Sequence, residues 1–274
     1  MDNNGILKNL LVKLDCLNKD IVDQQSIVVV PARRQANLPV SDLDIEEDYI
    51  FFCFAKFTKT LISIQKLIES GLFEDALILT RSNYECFIHA KSIIKQNDMI
   101  NHLVEYKLGL IDEKRYKYAS KNVIDIHTSE VHPYISQVKD IAQKANEYIT
   151  YKHVYSYLCD ITHCNLITSS YYRDGVHYSY KLVNKEAEFN ALLWNVYFNL
   201  KFYNTLIEAE IFEIEELEER VLDVLSSDSL KLMTVFEAEE KRIIQELKDL
   251  NDENQIVELK KYLNVVGKLK RNLG

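Results

Sequence analysis

The chain has 274 residues, of which 47% are hydrophobic and 27% are charged, so it carries ample apolar material for a globular core. Its net charge of −9 argues against attraction of nucleic acid by the overall field, and any such contact needs a local basic patch. We expect a cytoplasmic protein with reduced thiols and no membrane contact, because the five cysteines lack a CxxC pair, the N-terminus is unlike a signal peptide, and no apolar run can span a bilayer.

The scarcity of chain breakers, six glycines and three prolines, predicts long helices and an all-α fold. In chain order, the hydrophobic pattern predicts a helix over 5–24, an extended arm over 26–40, helices over 41–70 and 73–95, a helix from about 98, a loop over 120–134, helices over 135–149 and 151–170, a hairpin-like break over 171–182, and a helix over 186–209. The tail over 210–273 is typical of two or three amphipathic helices, with a break expected at 226–229.

These elements suggest a multi-helix bundle in three segments. Residues 1–40 form the N-terminal helix and arm, 41–209 form the bundle core with the candidate site, and 210–274 form an acidic C-terminal extension. The arm or an apolar helix face provides a plausible surface for a homodimer. The glutamate-rich run 208–219 has two interpretations, a solvated helix face or a docking surface for a basic partner.

The predicted helix over 73–95 is largely apolar but carries one polar seam. Arg81, Glu85 and His89 recur every four residues and fall, with Ser82, within about 100° of the helical wheel. A second predicted helix, over 151–170, has a comparable seam that contains Asp160 and His163. Each of the two helices therefore presents a narrow polar stripe on an otherwise apolar surface.

Two interpretations of the seams remain open. In the first, each seam faces water and Arg81–Glu85 is a surface ion pair that contributes a few tenths of a kcal/mol. In the second, the seams face each other, so that Arg81 lies between Glu85 and Asp160 with His163 alongside. That arrangement would place a histidine beside carboxylates, a setting suited to acid–base chemistry.

A metal site is the less favoured interpretation of the same residues. The spacings Glu85-x3-His89 and Asp160-x2-His163 allow two side chains of one helix to reach one ion. Arg81 argues against a metal, because a cation one turn from Glu85 competes with it. We therefore expect no metal ligands and no cofactor.

Two segments that mix tyrosines with basic residues are further candidates for nucleic-acid binding. The segments KRYKYAS (114–120) and YYRDGVHYSYK (171–181) have the aromatic and cationic composition of single-strand nucleic-acid contacts, although tyrosine is also ordinary packing material between helices.

The two seam segments carry a resemblance to a known family. RSNYE (81–85), after the apolar lead-in ALILT, and YSYLCDITH (155–163) resemble the two signatures of a bacterial all-α family, domain of unknown function 5677. The signature positions correspond to Arg81, Glu85, Tyr155 and His163. Cys159 stands where the family usually has serine, and Cys164 and Asn165 replace the small residues that often follow the histidine.

More broadly, the chain resembles the HEPN superfamily of small helical domains, which includes RNA-cleaving toxins and defence proteins. Arg81–Ser82 matches the start of its ribonuclease motif, but His89 follows at the wrong spacing, so His163 or His89 would have to substitute. The resemblance implies a metal-independent ribonuclease in a bacterial stress or phage-defence system. It would act on RNA and function as a homodimer or with a partner protein of the same system.

Under this hypothesis Arg81 stabilises the phosphoryl oxyanion, Glu85 orients Arg81, His163 is the general acid or base, and Asp160 belongs to the same catalytic site. Tyr155 and Ser82 contact the RNA. The alternative hypothesis is a non-catalytic interaction module, in which the seams are a structural network and the acidic tail docks a partner.

Overall fold

The computed structural model describes residues 2–29, 45–95, 116–119, 122–133, 137–163, 165–179, 182–250 and 252–273. The helices are α1 (Asn3–Val29), α2 (Ile45–Glu69), α3 (Phe73–Lys95), α4 (Val138–Lys144), α5, α6 (Lys185–Glu208), α7 (Glu215–Asp249) and α8 (Glu253–Arg271). The segment named α5 has three consecutive parts: a single turn (Tyr148–Thr150), a π-helical turn (Tyr151–Tyr155) and an α-helical part (Ser156–Thr162). The all-α fold class predicted from the sequence is confirmed.

Short strands connect the helices. The strands β1 (Tyr116–Ala119), β2 (Asn122–Asp125) and β3 (Val131–Pro133) form an antiparallel sheet in that order. A 3₁₀ segment (Leu166–Tyr172) leads into a two-residue hairpin, β4 (Arg173–Asp174) and β5 (His177–Tyr178), which turns at Gly175 with φ +60°. The predicted hairpin-like break is therefore present, whereas the loop predicted over 120–134 is wrong for 122–125 and 131–133, which form strands in a stretch whose sequence contains Val and Ile, residue types that favour strands.

The pair α2–α3 is an antiparallel hairpin whose turn is specified locally. Gly71 follows the C-terminus of α2 with φ +75°, and the amide of Leu72 donates to the carbonyl of Leu67, as in a Schellman motif. Glu74 and Asp75 lie in the first turn of α3 and Lys95 in its last, which suits the helix dipole at both ends. The predicted bounds of α3 are confirmed.

Helix α6 is the centre of the core. Its N-cap, Asn184, accepts hydrogen bonds from the amides of Glu186 and Ala187. From Ala187 to Leu206 almost every side chain is buried, because α1, α2, α3 and α7 pack around it. Within the described part of the chain, no helix is both long and apolar enough to cross a membrane.

The N-terminal and C-terminal predictions need two corrections. Residues 26–29 are helical and end α1, so the predicted arm does not begin at 26; residues 30–44 lie outside the described residues, as does the helix predicted near 98. Helix α7 runs unbroken through 226–229 and ends at Asp249, and α8 begins at Glu253. Two contacts explain the unbroken helix: the hydroxyl of Ser226 donates to the carbonyl of Asp223, and the carboxylate of Asp228 is buried and ion-paired.

Candidate functional site

The polar seam of α3 meets α5 through a three-residue network. The Nε of Arg81 donates to Oε1 of Glu85 at 3.2 Å and to the hydroxyl of Tyr155 at 3.1 Å. The Tyr155 hydroxyl in turn donates to the same Glu85 oxygen at 2.8 Å. The guanidinium of Arg81 also lies over the Tyr155 ring, 5.3 Å from its centroid. We call these three residues the Arg81 network.

The Arg81 network is half-buried and leaves donors available. The side chains of Arg81 and Glu85 are 27% and 34% exposed. Within the described part of the chain, Nη1 and Nη2 of Arg81 make no hydrogen bond, since its contacts all use Nε. The network thus fixes the guanidinium from one side and leaves its outer edge available to an anion.

The electrostatics favour the ionised form of Arg81. Burial opposes the charge, but the hydrogen bond with Tyr155 and the nearby charge of Glu85 outweigh it and raise the pKa of Arg81. Burial, together with the hydrogen bond to the Glu85 carboxylate, raises the pKa of Tyr155. Tyr155 is therefore a neutral donor near pH 7.

His89, the third residue of the polar seam of α3, makes a different contact. Its Nδ1 lies 3.3 Å from the hydroxyl of Tyr49 on α2, and the two rings meet edge to face. Burial lowers the pKa of His89, so its imidazole is neutral near pH 7. Burial likewise raises the pKa of the neighbouring Cys86 thiol to about 11.

The remaining predicted site residues are placed differently. The carboxylate of Asp160 accepts from Nδ2 of Asn165 at 3.0 Å, and no hydrogen bond joins it to Arg81 in the described structure. His163 is the exposed C-cap of α5, and its imidazole has no hydrogen bond or ion pair with a described residue. Ser82 is half-buried beside Arg81 in sequence. Of the six predicted residues, the structure brings Arg81, Glu85 and Tyr155 into contact.

A second charged network, which the sequence interpretation missed, lies between α3, α5 and α6. The buried carboxylate of Glu147, at the start of α5, accepts from Nζ of Lys91 at 2.6 Å and pairs with Nζ of Lys201 at 3.2 Å. Its second oxygen accepts from the hydroxyl of Thr150 at 2.8 Å. We call this set the Glu147 network. Lysine inside the apolar runs of α3 and α6 is the signal that would have revealed it.

Burial distinguishes the Glu147 network from the Arg81 network. The side chains of Lys91, Lys201 and Glu147 are only 12%, 10% and 1% exposed. Burial lowers the pKa of Lys201, and the charge of Glu147 opposes that effect only in part. Lys201 also donates to the carbonyl of Asn272, which connects the network to the C-terminal end of the chain.

Metal binding finds no support among the described residues, where no group of three or more His, Cys, Asp or Glu side chains is arranged to hold an ion. The four described cysteines, Cys16, Cys53, Cys86 and Cys159, are free thiols. The fifth, Cys164, lies outside the described residues.

Comparison with known proteins identifies one match. Residues 47–176 match the model of a family described as "Family of unknown function (DUF5677)", and this segment contains the whole Arg81 network and His163. No curated protein and no solved structure matches the chain. Residues 47–176, a little under half of the chain, are therefore similar to the family of unknown function DUF5677.

Proposed function

We propose that this chain is a HEPN-like helical protein of a bacterial stress or phage-defence system that binds and cleaves RNA at the Arg81 network without a metal. One observation carries the proposal: Arg81 is held through Nε by Glu85 and Tyr155, while Nη1 and Nη2 have no described partner. A guanidinium oriented in this way donates two parallel hydrogen bonds to phosphate oxygens.

In this proposal each member of the network has a defined role. Arg81 binds the phosphate and stabilises the negative charge that develops on its oxygens during transfer. Glu85 and Tyr155 are positioning residues, because both act on Nε rather than on the RNA. Since Glu85 accepts from both partners through Oε1, replacement of either partner leaves the other contact in place.

The acid–base role falls to His163. Its exposed imidazole is available to take the proton from a ribose 2′-hydroxyl that attacks the adjacent phosphate, or to give one to the departing 5′-oxygen. Tyr155 and His163 are eight residues apart on α5, which is about 12 Å of helix rise. Arg81 and His163 therefore act on one scissile phosphate only when the long Arg81 side chain and the His163 imidazole reach toward it from positions two turns apart, with the RNA strand lying along α5.

The test is cleavage of a 5′-labelled single-stranded RNA in the presence of EDTA. We expect wild type to cleave, Arg81→Ala and His163→Ala to be slowed by about 100-fold or more, and all three to melt within about 2 °C of one another. His127→Ala, which removes an exposed histidine between β2 and β3, is the matched control and should cleave normally. An inactive wild type, or an His163→Ala variant as active as wild type, would refute the catalytic proposal.

A second candidate, a non-catalytic interaction module, is favoured by the acidic start of α7. Glu215, Glu216 and Glu219 are exposed and have no ion pair with a described residue. A basic partner protein or a second copy of the chain would dock there. Charge reversal of the three glutamates to lysine should abolish binding of a basic partner, whereas RNA cleavage should be unaffected. Sedimentation of the wild-type chain measures whether it forms a homodimer.

A further inference from the structure

The π-helical turn of α5 arranges three tyrosines into a column. The rings of Tyr148 and Tyr151 lie 6.0 Å apart with an interplanar angle of 21°, and those of Tyr151 and Tyr155 lie 5.4 Å apart at 22°. Arg81 covers the Tyr155 end of this column. At the other end Tyr148 is 40% exposed. The column therefore links the Arg81 network to the surface.

Unpaired positive charge surrounds the exposed end of the column. Lys152 is exposed one turn beyond Tyr148, and Lys268 approaches from α8, which packs against the first turn of α5. His153 is close enough to both lysines to be affected by their charges. Its pKa is lowered by burial, which is the largest effect, and then by the positive charges of Lys152 and Lys268. Neither lysine has an ion pair with a described residue. This is the local basic patch that an acidic chain needs to contact a polyanion.

We infer that Tyr148, Tyr151, Lys152, His153 and Lys268, together named the Tyr148 surface, form a subsite for single-stranded nucleic acid, in which one base stacks on Tyr148 and backbone phosphates contact Lys152 and Lys268. The inference rests on the proposed function, since it assigns the path of an RNA strand that also contacts Arg81. Bases have flat faces that stack on an exposed aromatic ring, whatever their sequence. An acidic peptide would use the lysines and leave the ring without a role.

The experiment measures fluorescence anisotropy of a labelled 12-nucleotide 2′-O-methyl RNA with the full chain over a range of salt concentrations. This probe has no free 2′-hydroxyl to attack the phosphate, so binding is measured independently of cleavage. We expect Tyr148→Ala to weaken binding about tenfold, or about 1.4 kcal/mol, and Tyr148→Phe to bind like wild type, because stacking needs the ring and not the hydroxyl. Phe52→Ala, at an aromatic ring of α2 that is 58% exposed, is the matched control and should bind normally.

The lysines are tested by their effect on salt dependence. The double variant Lys152→Ala/Lys268→Ala should reduce the slope of log affinity against log salt by about 1.4, since each phosphate contact on a single strand contributes about 0.7. The charge-matched control Lys66→Ala/Lys241→Ala removes two exposed lysines that have no ion pair with a described residue, and its slope should equal that of wild type.

The outcomes separate this inference from the cleavage proposal. If the probe binds as described but no RNA is cleaved, the Tyr148 surface is supported and the catalytic role proposed for Arg81 and His163 is refuted. If wild type does not bind the probe, or if Tyr148→Ala and the double lysine variant bind it like their controls, the inference is overturned. It is also overturned if polyglutamate displaces the probe as well as unlabelled RNA does, because the surface then selects charge alone.

Discussion

The Arg81 network and the Glu147 network join the same two helices, α3 and α5. They differ in whether hydrogen-bond donors remain available to a ligand. In the Glu147 network one buried carboxylate pairs with two ammonium groups and accepts a hydrogen bond from a hydroxyl. Each charged group of this network therefore has an oppositely charged partner inside the protein. In the Arg81 network one carboxylate oxygen accepts from Arg81 and Tyr155, and Nη1 and Nη2 of the guanidinium have no described hydrogen-bond partner.

This difference separates structural from functional charge. Removal of one partner from a buried ion pair strands the other in a medium of low polarity, which costs several kcal/mol. An exposed pair contributes about 1 kcal/mol or less, because water solvates whatever is left. We therefore expect substitutions in the Glu147 network to act on stability and substitutions in the Arg81 network to act on ligand binding.

The largest effect is expected from Glu147→Gln. The substitution leaves Lys91 and Lys201 buried without a counter-charge, so the free energy of unfolding should fall by about 3–5 kcal/mol, measured by urea denaturation at pH 7. Glu85→Gln is the matched control, because the side chain is 34% exposed, and it should lower the free energy of unfolding by about 1 kcal/mol or less. Equal losses of unfolding free energy in the two variants would contradict the distinction between a structural Glu147 network and a functional Arg81 network.

A pH-dependent effect of intermediate size is expected at Asp228, which joins α1 to α7. Burial disfavours its charge, but hydrogen bonds from Lys13 and Lys231 outweigh burial and hold its pKa below the ordinary value. Because the folded-state pKa is the lower one, the stabilisation is fully present above the unfolded-state pKa of about 4 and is lost as the pH falls through the folded-state pKa.

We therefore expect Asp228→Asn to lower the free energy of unfolding by about 2 kcal/mol at pH 7. Between about pH 5 and pH 2 its stability should fall less steeply than that of wild type. Asp223→Asn, at an exposed position of the same helix, should follow the wild-type curve. Parallel pH profiles for Asp228→Asn and wild type would contradict the buried ion pair.

A smaller effect is expected from Tyr155→Phe. It removes the donor to Glu85 and one acceptor of Arg81 Nε, so the free energy of unfolding should fall by about 1 kcal/mol, and RNA affinity should fall a few-fold as Arg81 loses its orientation. Tyr151→Phe is the control, since the Tyr151 hydroxyl has no described hydrogen bond while its ring stacks in the same way. Identical affinities for the two variants would remove Tyr155 from its positioning role.

Much of the Arg81 network follows from the sequence, but its partner on α5 does not follow from periodicity. The narrow seam of α3 left open whether Arg81 and Glu85 face water or a second helix, and in the structure they meet α5. A helical wheel with α geometry assigned Asp160 and His163 to the meeting face. In the structure Tyr155, Leu158 and Ile161 form the buried face of α5, so Tyr155 reaches Arg81 while His163 stays exposed. The family resemblance had marked Tyr155 through a signature, without a physical account.

The misplaced boundaries have physical causes of the same kind. Periodicity detects α3 and α6 because they bury long apolar stretches, but strands as short as β2 and β3 do not show a reliable alternation. Serine and aspartate at 226–229 resemble a helix break, yet α7 continues because Lys13 of α1 supplies a partner for Asp228. A contact between residues so distant in the chain is not visible in local propensity.

The most direct test of the central claim, that Arg81 is held for a ligand rather than for stability, is the affinity of Arg81→Gln for a 2′-O-methyl RNA oligonucleotide. We predict an affinity at least tenfold weaker than that of wild type, with a free energy of unfolding lower by about 1 kcal/mol or less, because Tyr155 still donates to Glu85. An unchanged RNA affinity together with a loss of several kcal/mol in stability would show that the Arg81 network is structural.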